Sequence, residues 1–230
     1  MVVNAMKKAF SLIELAIVLT AIALLTISVT TASKLTHYAE LNKLTTEIQE
    51  LHNSYKLFTL KYEARPGDFT KAEDFWGSSD VDNGDGDGRV EWTDESYNAS
   101  LHLVKAKLIA NRNYKDAKPG YEFRFDSIAQ VKGKFMHNLQ TNGTSFDGFN
   151  YLSKDTNTLS LGADENALTA VFIPKDLHYI DKKIDDGQAR SGKIIYRIIS
   201  GVTDSTCTGS GTTYDLTITT PGCNMVYDVE

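Results

Sequence analysis

Phe10-Ser-Leu-Ile-Glu14-Leu-Ala-Ile-Val-Leu19, continued by Thr20 through Ser33, is the stretch whose reading decides the fold. It consists mostly of Leu, Ile, Val, Ala and Thr, and Glu14 is its one ionisable side chain. As a helix rising ~1.5 Å per residue it spans about 36 Å, enough to cross a bilayer. Lys7 and Lys8 precede it and Lys34 follows it. The short basic amino terminus is therefore expected on the cytoplasmic side and the remainder outside the inner membrane. A secretory signal peptide would have a shorter apolar core and small residues at its end, and Thr31-Ala32-Ser33 makes a poor cleavage site. A carboxylate in hydrocarbon is costly, which makes Glu14 a functional candidate. The plainer alternative is a carboxylate that snorkels to the interface.

Beyond Ser33 polar residues enter, but helical spacing persists. Leu41, Leu44, Ile48, Leu51, Tyr55, Phe58 and Tyr62 recur three and four apart, which predicts one apolar face of the same helix. Pro66-Gly67 ends it, because Pro disfavours a helical residue before it. The result is one helix of about 55 residues, ~80 Å long, spanning the membrane first and then packing on a head. A free coiled coil is the alternative. The β-branched and hydroxyl cluster Thr26-Ile-Ser-Val-Thr-Thr31 is the weakest part of the helix.

Lys7-Lys-Ala9-Phe10-Ser-Leu-Ile-Glu14-Leu15 resembles the processing site of type IV pilins and type II secretion pseudopilins. In that family a basic leader is cut before a Phe, and a Glu stands fifth in the mature chain. The family has Gly before the cut, where this chain has Ala9. The resemblance implies that prepilin peptidase removes residues 1–9 and that Phe10 is then N-methylated. It also implies that Glu14 faces the Phe10 amine of a neighbouring subunit, an attraction strong enough in low dielectric to set axial register. The implied fold is α+β: a spine helix over 10–65, with 10–33 transmembrane, packed on a small antiparallel β-sheet head over 66–230. The implied partners are other pilin subunits, the peptidase and an inner-membrane assembly platform. The head would sit in the periplasm and then in a filament. The implied function is a structural filament subunit, with a minor pilin or pseudopilin that binds or primes at the tip as the alternative.

Residues 80–94 are rich in Asp and Gly. Calcium takes six to eight oxygens on a tightly turning backbone. Asn83, Asp85 and Asp87 fall at positions one, three and five of an EF-hand-like loop. Gly88 follows at six, the Arg89 carbonyl at seven, Glu91 at nine and Asp94 at twelve. Asn stands in place of the first Asp, and Asp in place of the closing Glu. A structural Ca2+ is one reading and an exposed Gly-Asp turn the other. The preceding Pro66-Gly-Asp68 and Trp76-Gly77 resemble a pattern of some bacterial prepilin-type proteins.

In the rest of the head, Thr93 or Asp94 can cap a helix through Ala99, Leu103, Val104, Leu108 and Ile109. Pro174 opens another, ended by Asp185-Asp-Gly187. Strands are expected around Tyr121–Phe125 and at 148–153, 157–161, 168–173, 193–199, 213–219 and 224–229. Cys207 and Cys223 are the only cysteines. An extracytoplasmic head permits their oxidation, and a disulfide-bonded carboxy-terminal loop is a pilin habit. Two free thiols or a metal pair are the alternatives. The five histidines show no metal-ligand spacing, and no nucleophile elbow or phosphate loop occurs, so catalysis is not expected. Twenty-four basic against thirty acidic side chains, net charge −6, argue against nucleic acid as a partner. The mean hydropathy of −0.28 averages a membrane helix with a polar head.

Overall fold

A computed structural model of the chain describes residues 11–79, 81–91, 94–109, 136–142, 156–162, 169–198 and 202–230. Helix α1 runs Leu12–Tyr62, 51 residues. The chain divides into two units, Met1–Ala39 and Glu40–Glu230. In the first, the apolar stretch of α1 is exposed along its whole described length. Five of its hydroxyls donate within the helix. Thr20 donates to the Ile17 carbonyl, Thr26 to Ala23, Ser28 to Leu24, and Thr30 and Thr31 both to Ile27. Such back-bonding removes the cost of an unpaired donor in an apolar medium, so the Thr/Ser cluster is compatible with an unbroken helix.

In the second unit the expected stripe is the buried one. Leu41, Leu44, Ile48, Tyr55 and Phe58 are buried, while Leu51 and Tyr62 are partly buried against the core. Each fully buried Leu or Phe contributes about 1.5–3 kcal/mol of transfer free energy, which outweighs the weak intrinsic propensity of an isolated helix. Short helix α2 is Ala72–Trp76 and α3 is Asp94–Lys105. Phe58, Phe69, Ala72, Val81, Leu101, Leu103 and Ala106 form one apolar cluster, which ties the end of α1 to α3.

Among the described residues four strands follow, interleaved with two more helices. These are β1 Met136–Asn142, β2 Thr156–Gly162, α4 Pro174–Ile184, β3 Ile194–Ile195, α5 Asp204–Cys207 and β4 Met225–Asp228. The sheet order is β1-β2-β4-β3 and every pairing is antiparallel. In the backbone register Leu139 pairs with Leu159, and Leu159 in turn with Tyr227. The last strand is thus inserted between β2 and the two-residue β3. Helix α1 packs on this layer: His52 meets Tyr227 edge-on at 5.5 Å, and Asn157 Nδ2 donates to the Tyr55 hydroxyl at 3.2 Å. Asn42 Oδ1 accepts from the Tyr179 hydroxyl of α4.

Several strands differ from expectation. Residues 157–161 and 224–229 do form strands, but 193–199 pairs only over Ile194–Ile195. Among the described residues of 168–173, only Phe172 makes a bridge, to Cys223, because Pro174 commits the chain to helix immediately afterwards. Residues 213–219 form a turn. There the Asp215 carboxylate accepts from both the backbone N–H and the hydroxyl of Thr217, and a side chain that bonds its own backbone competes with a ladder. Strand β1 was not anticipated. The expected strands at Tyr121–Phe125 and 148–153 lie outside the described residues, as does Thr93.

Candidate functional site

Ala9 and Phe10 lie outside the described residues. Glu14 stands at the first turn of α1, where its Oε2 accepts from the Ser11 N–H at 2.9 Å. Ser11 Oγ in turn accepts from the Ile13 N–H at 3.3 Å. The carboxylate takes the N-cap N–H as in a capping box while the Ser11 hydroxyl caps the second helical N–H, and a carboxylate there also meets the positive end of the helix dipole. An intrachain partner therefore exists for Glu14 before any neighbour is considered. The signal was present as Ser-x-x-Glu over residues 11–14.

The acidic loop is held from outside by buried side chains. Asp68, in the Pro-Gly-Asp turn after α1, is 4% exposed. Its two oxygens accept from the N–H groups of Gly86 (2.5 Å) and Gly88 (2.8 Å). Glu95 on α3 accepts from the N–H groups of Asp85 (2.9 Å) and Glu91 (3.2 Å). His102, one further turn pair along α3 and 0% exposed, joins the two flanks. Its Nδ1 accepts from Gly67 N–H at 2.9 Å and its Nε2 lies 3.2 Å from the Asp82 carbonyl. That pairing assigns a neutral imidazole with the proton on Nε2. Phe58 stacks on its ring at 6.0 Å and 8°. Gly67 has φ +97, and a Cβ there would meet the Glu95 carbonyl at 2.6 Å, so the turn requires glycine.

Burial dominates the electrostatics of this clamp. It lowers His102 to about 4, raises Asp68 against the opposing pull of the Gly88 and Gly86 N–H groups, and with the Glu91 hydrogen bond raises Glu95 to about 8.

The residues expected to hold a metal are distributed unevenly. Asp85, Asp87 and Glu91 each bring one carboxylate oxygen within 4.8 Å of the others, and Asp85 shares a second such group with Asp68 and Glu95. Asn83 is turned elsewhere: its Oδ1 accepts from Glu73 N–H in α2 at 3.0 Å. Arg89 is exposed and gives its N–H to Asp87 Oδ1. Asp94 begins α3, and its side chain is outside the described residues. The clustered carboxylate oxygens are hard donors of the kind that suit a divalent cation such as calcium. Asp68, Glu95 and His102 were not among the expected site residues. The last two were recoverable from periodicity, since Glu95, Ala99 and His102 fall four and three apart on one face of α3.

Nearby, Arg65 Nε donates to Glu230 Oε1 at 2.9 Å, and Asn157 Nδ2 donates to the same oxygen at 2.8 Å. Arg65 and Glu230, with Leu60, Gly86 and Gly88, border an open cleft of about 680 Å³. Cys207 and Cys223 form a disulfide with Cα atoms 5.2 Å apart. Compared with family models, curated proteins and solved structures, the chain matches none.

Proposed function

We propose that this chain is a subunit of a type IV pilus-like filament, held in the inner membrane and assembled through its amino-terminal helix. The observation that carries this reading is α1: a stretch of membrane-crossing length and apolarity, wholly exposed, continues within one helix into the buried stripe of an α+β head. An apolar surface of that size needs a bilayer or other subunits to cover it. Glu14 would supply the register contact, exchanging its capping bond to Ser11 for the amine of a neighbouring Phe10. The test replaces Glu14 with Ala in the full chain. Membrane insertion should persist while sheared filaments are lost, and sequencing of the membrane-extracted protein should begin at a methylated Phe10. Normal filament yield from the variant would remove Glu14 from assembly.

The acidic loop is proposed to hold one structural Ca2+ through Asp85, Asp87 and Glu91, whose carboxylate oxygens converge. The ion would neutralise a loop that otherwise repels itself. Calorimetric titration of the full chain with calcium should show binding that Asp85→Asn abolishes. Absence of heat up to about millimolar calcium, the weak end of extracellular calcium modules, would overturn this assignment.

A further inference from the structure

The turns of the head are built on the two dipeptides most prone to chemical ageing, Asn-Gly and Asp-Gly. In such steps the glycine amide nitrogen, once deprotonated, attacks the Cγ of the preceding side chain. Asn loses ammonia and Asp loses water, leaving a five-membered imide. One water then opens the ring at either carbonyl, giving Asp or a chain rerouted through the β-carboxyl as isoaspartate. The reaction needs a free glycine N–H, a mobile side chain and solvent.

Asn83-Gly84, Asp85-Gly86, Asp87-Gly88 and Asp186-Gly187 all lie within the described residues. Their Asn and Asp side chains are exposed, so solvent is at hand. Glycine is obligatory at each step. Gly86, Gly88 and Gly187 have φ of +81, +90 and +75, and a Cβ on Gly84 would collide with the Asp68 backbone. The fold therefore has to carry the liability.

Both reacting groups are immobilised at every one of these steps. The Gly84 N–H donates to the Phe69 carbonyl at 3.0 Å, Gly86 and Gly88 to the two oxygens of Asp68, and Gly187 to Asp181 Oδ1 at 2.9 Å. The attacked side chains are each held by hydrogen bonds of their own. Asn83 Oδ1 is taken by Glu73 N–H, Asp85 Oδ1 by Asp87 N–H and Asp87 Oδ1 by Arg89 N–H. Asp186 is bonded by Gln188 N–H at 2.7 Å and by the Ser191 hydroxyl at 2.6 Å. We infer that Asp68 and Asp181 are guard residues: by binding the N–H of the reactive glycines they suppress succinimide formation in the exposed turns of the head. An amide bonded in this way reacts only through local opening, the same event that limits its hydrogen exchange.

The test ages the full chain in detergent micelles at neutral pH, with EDTA so that the readout is independent of any metal. Peptide mapping with isoaspartyl-methyltransferase labelling then scores each step. In the native chain, isoaspartate at these steps should form slower by on the order of tenfold or more than in urea, equivalent to about 1.4 kcal/mol of opening. Asp68→Asn leaves one glycine N–H without its acceptor. It should restore ageing at Asp85-Gly86 or Asp87-Gly88 and spare Asp186-Gly187. Asp181→Ala should do the reverse. Equal rates in native and unfolded wild type overturn the inference, as does a folded Asp68→Asn chain that ages like wild type. If Asp68→Asn unfolds, label spreads to Asp186-Gly187, and the wild-type comparison with Asp181→Ala decides the matter.

Discussion

Acid should weaken the head through the buried imidazole of His102, and the size of the effect follows from the structure. His102 is buried among Phe58, Phe69 and Trp76, accepts from Gly67 N–H, and titrates at about 4 instead of 6.5. Desolvation is the main cause, and the hydrogen bond to the Asp82 carbonyl opposes it only in part. Because the folded value is depressed, the unfolded chain binds the proton first. The stabilisation is present in full above 6.5 and is lost as the pH falls towards 4. At ~1.4 kcal/mol per unit, a shift from 6.5 to about 4 gives about 3 kcal/mol lost by pH 4, where the native imidazole is half protonated. That is a large fraction of the total stability of an ordinary domain. Buried acids also titrate in this range, so the measurement is a difference. Urea unfolding of the full chain in micelles is followed by tryptophan fluorescence for wild type and His102→Gln, whose amide can still accept from Gly67 and donate to Asp82. The wild-type advantage should shrink by about 3 kcal/mol between about pH 7 and about pH 4. A difference that stays constant with pH, or a His102 imidazole resonance titrating near its ordinary value in the folded chain, would refute the reasoning.

Replacing both Cys207 and Cys223 with Ser opens a loop closed over a separation of 16 residues. It should cost about 3 kcal/mol by the chain-entropy relation, read as a lower urea midpoint that reducing agent reproduces in the wild type. Asp181 is fully buried, accepts from Tyr214 O–H and Gly187 N–H, and is raised by burial from 3.8 to about 7. A carboxyl raised on folding stabilises most below its unfolded value. Relative to Asp181→Asn, the wild type should therefore lose stability as the pH climbs from about 4 to about 7, the opposite sign to His102, in the same unfolding assay.

The spine was the most legible element, for a reason visible in its residues. An apolar run of bilayer length followed by apolar side chains three and four apart admits few arrangements, and Leu41, Leu44, Ile48, Tyr55 and Phe58 are buried as that spacing requires. Pro174 and Gly187 likewise marked the ends of α4. The sheet was far less legible. Strand β3 has two residues, β1 carried no recognised alternation, and Asp215 diverted its segment into a turn.

The acidic loop marks the boundary between the two kinds of information. Composition and glycine spacing were enough to single out Asn83 to Glu91 as a tight, oxygen-rich turn, because φ preferences and ligand chemistry are local properties. The side chains that hold it come from elsewhere: Asp68 from the turn after α1, and Glu95 and His102 from one face of α3. Their roles arise from burial and from hydrogen bonds across 10, 18, 20 and 35 positions of chain. Desolvation and long-range pairing exist only once the chain has folded, so the neutral imidazole, the raised carboxyls and the pinned glycine amides belong to the tertiary structure alone.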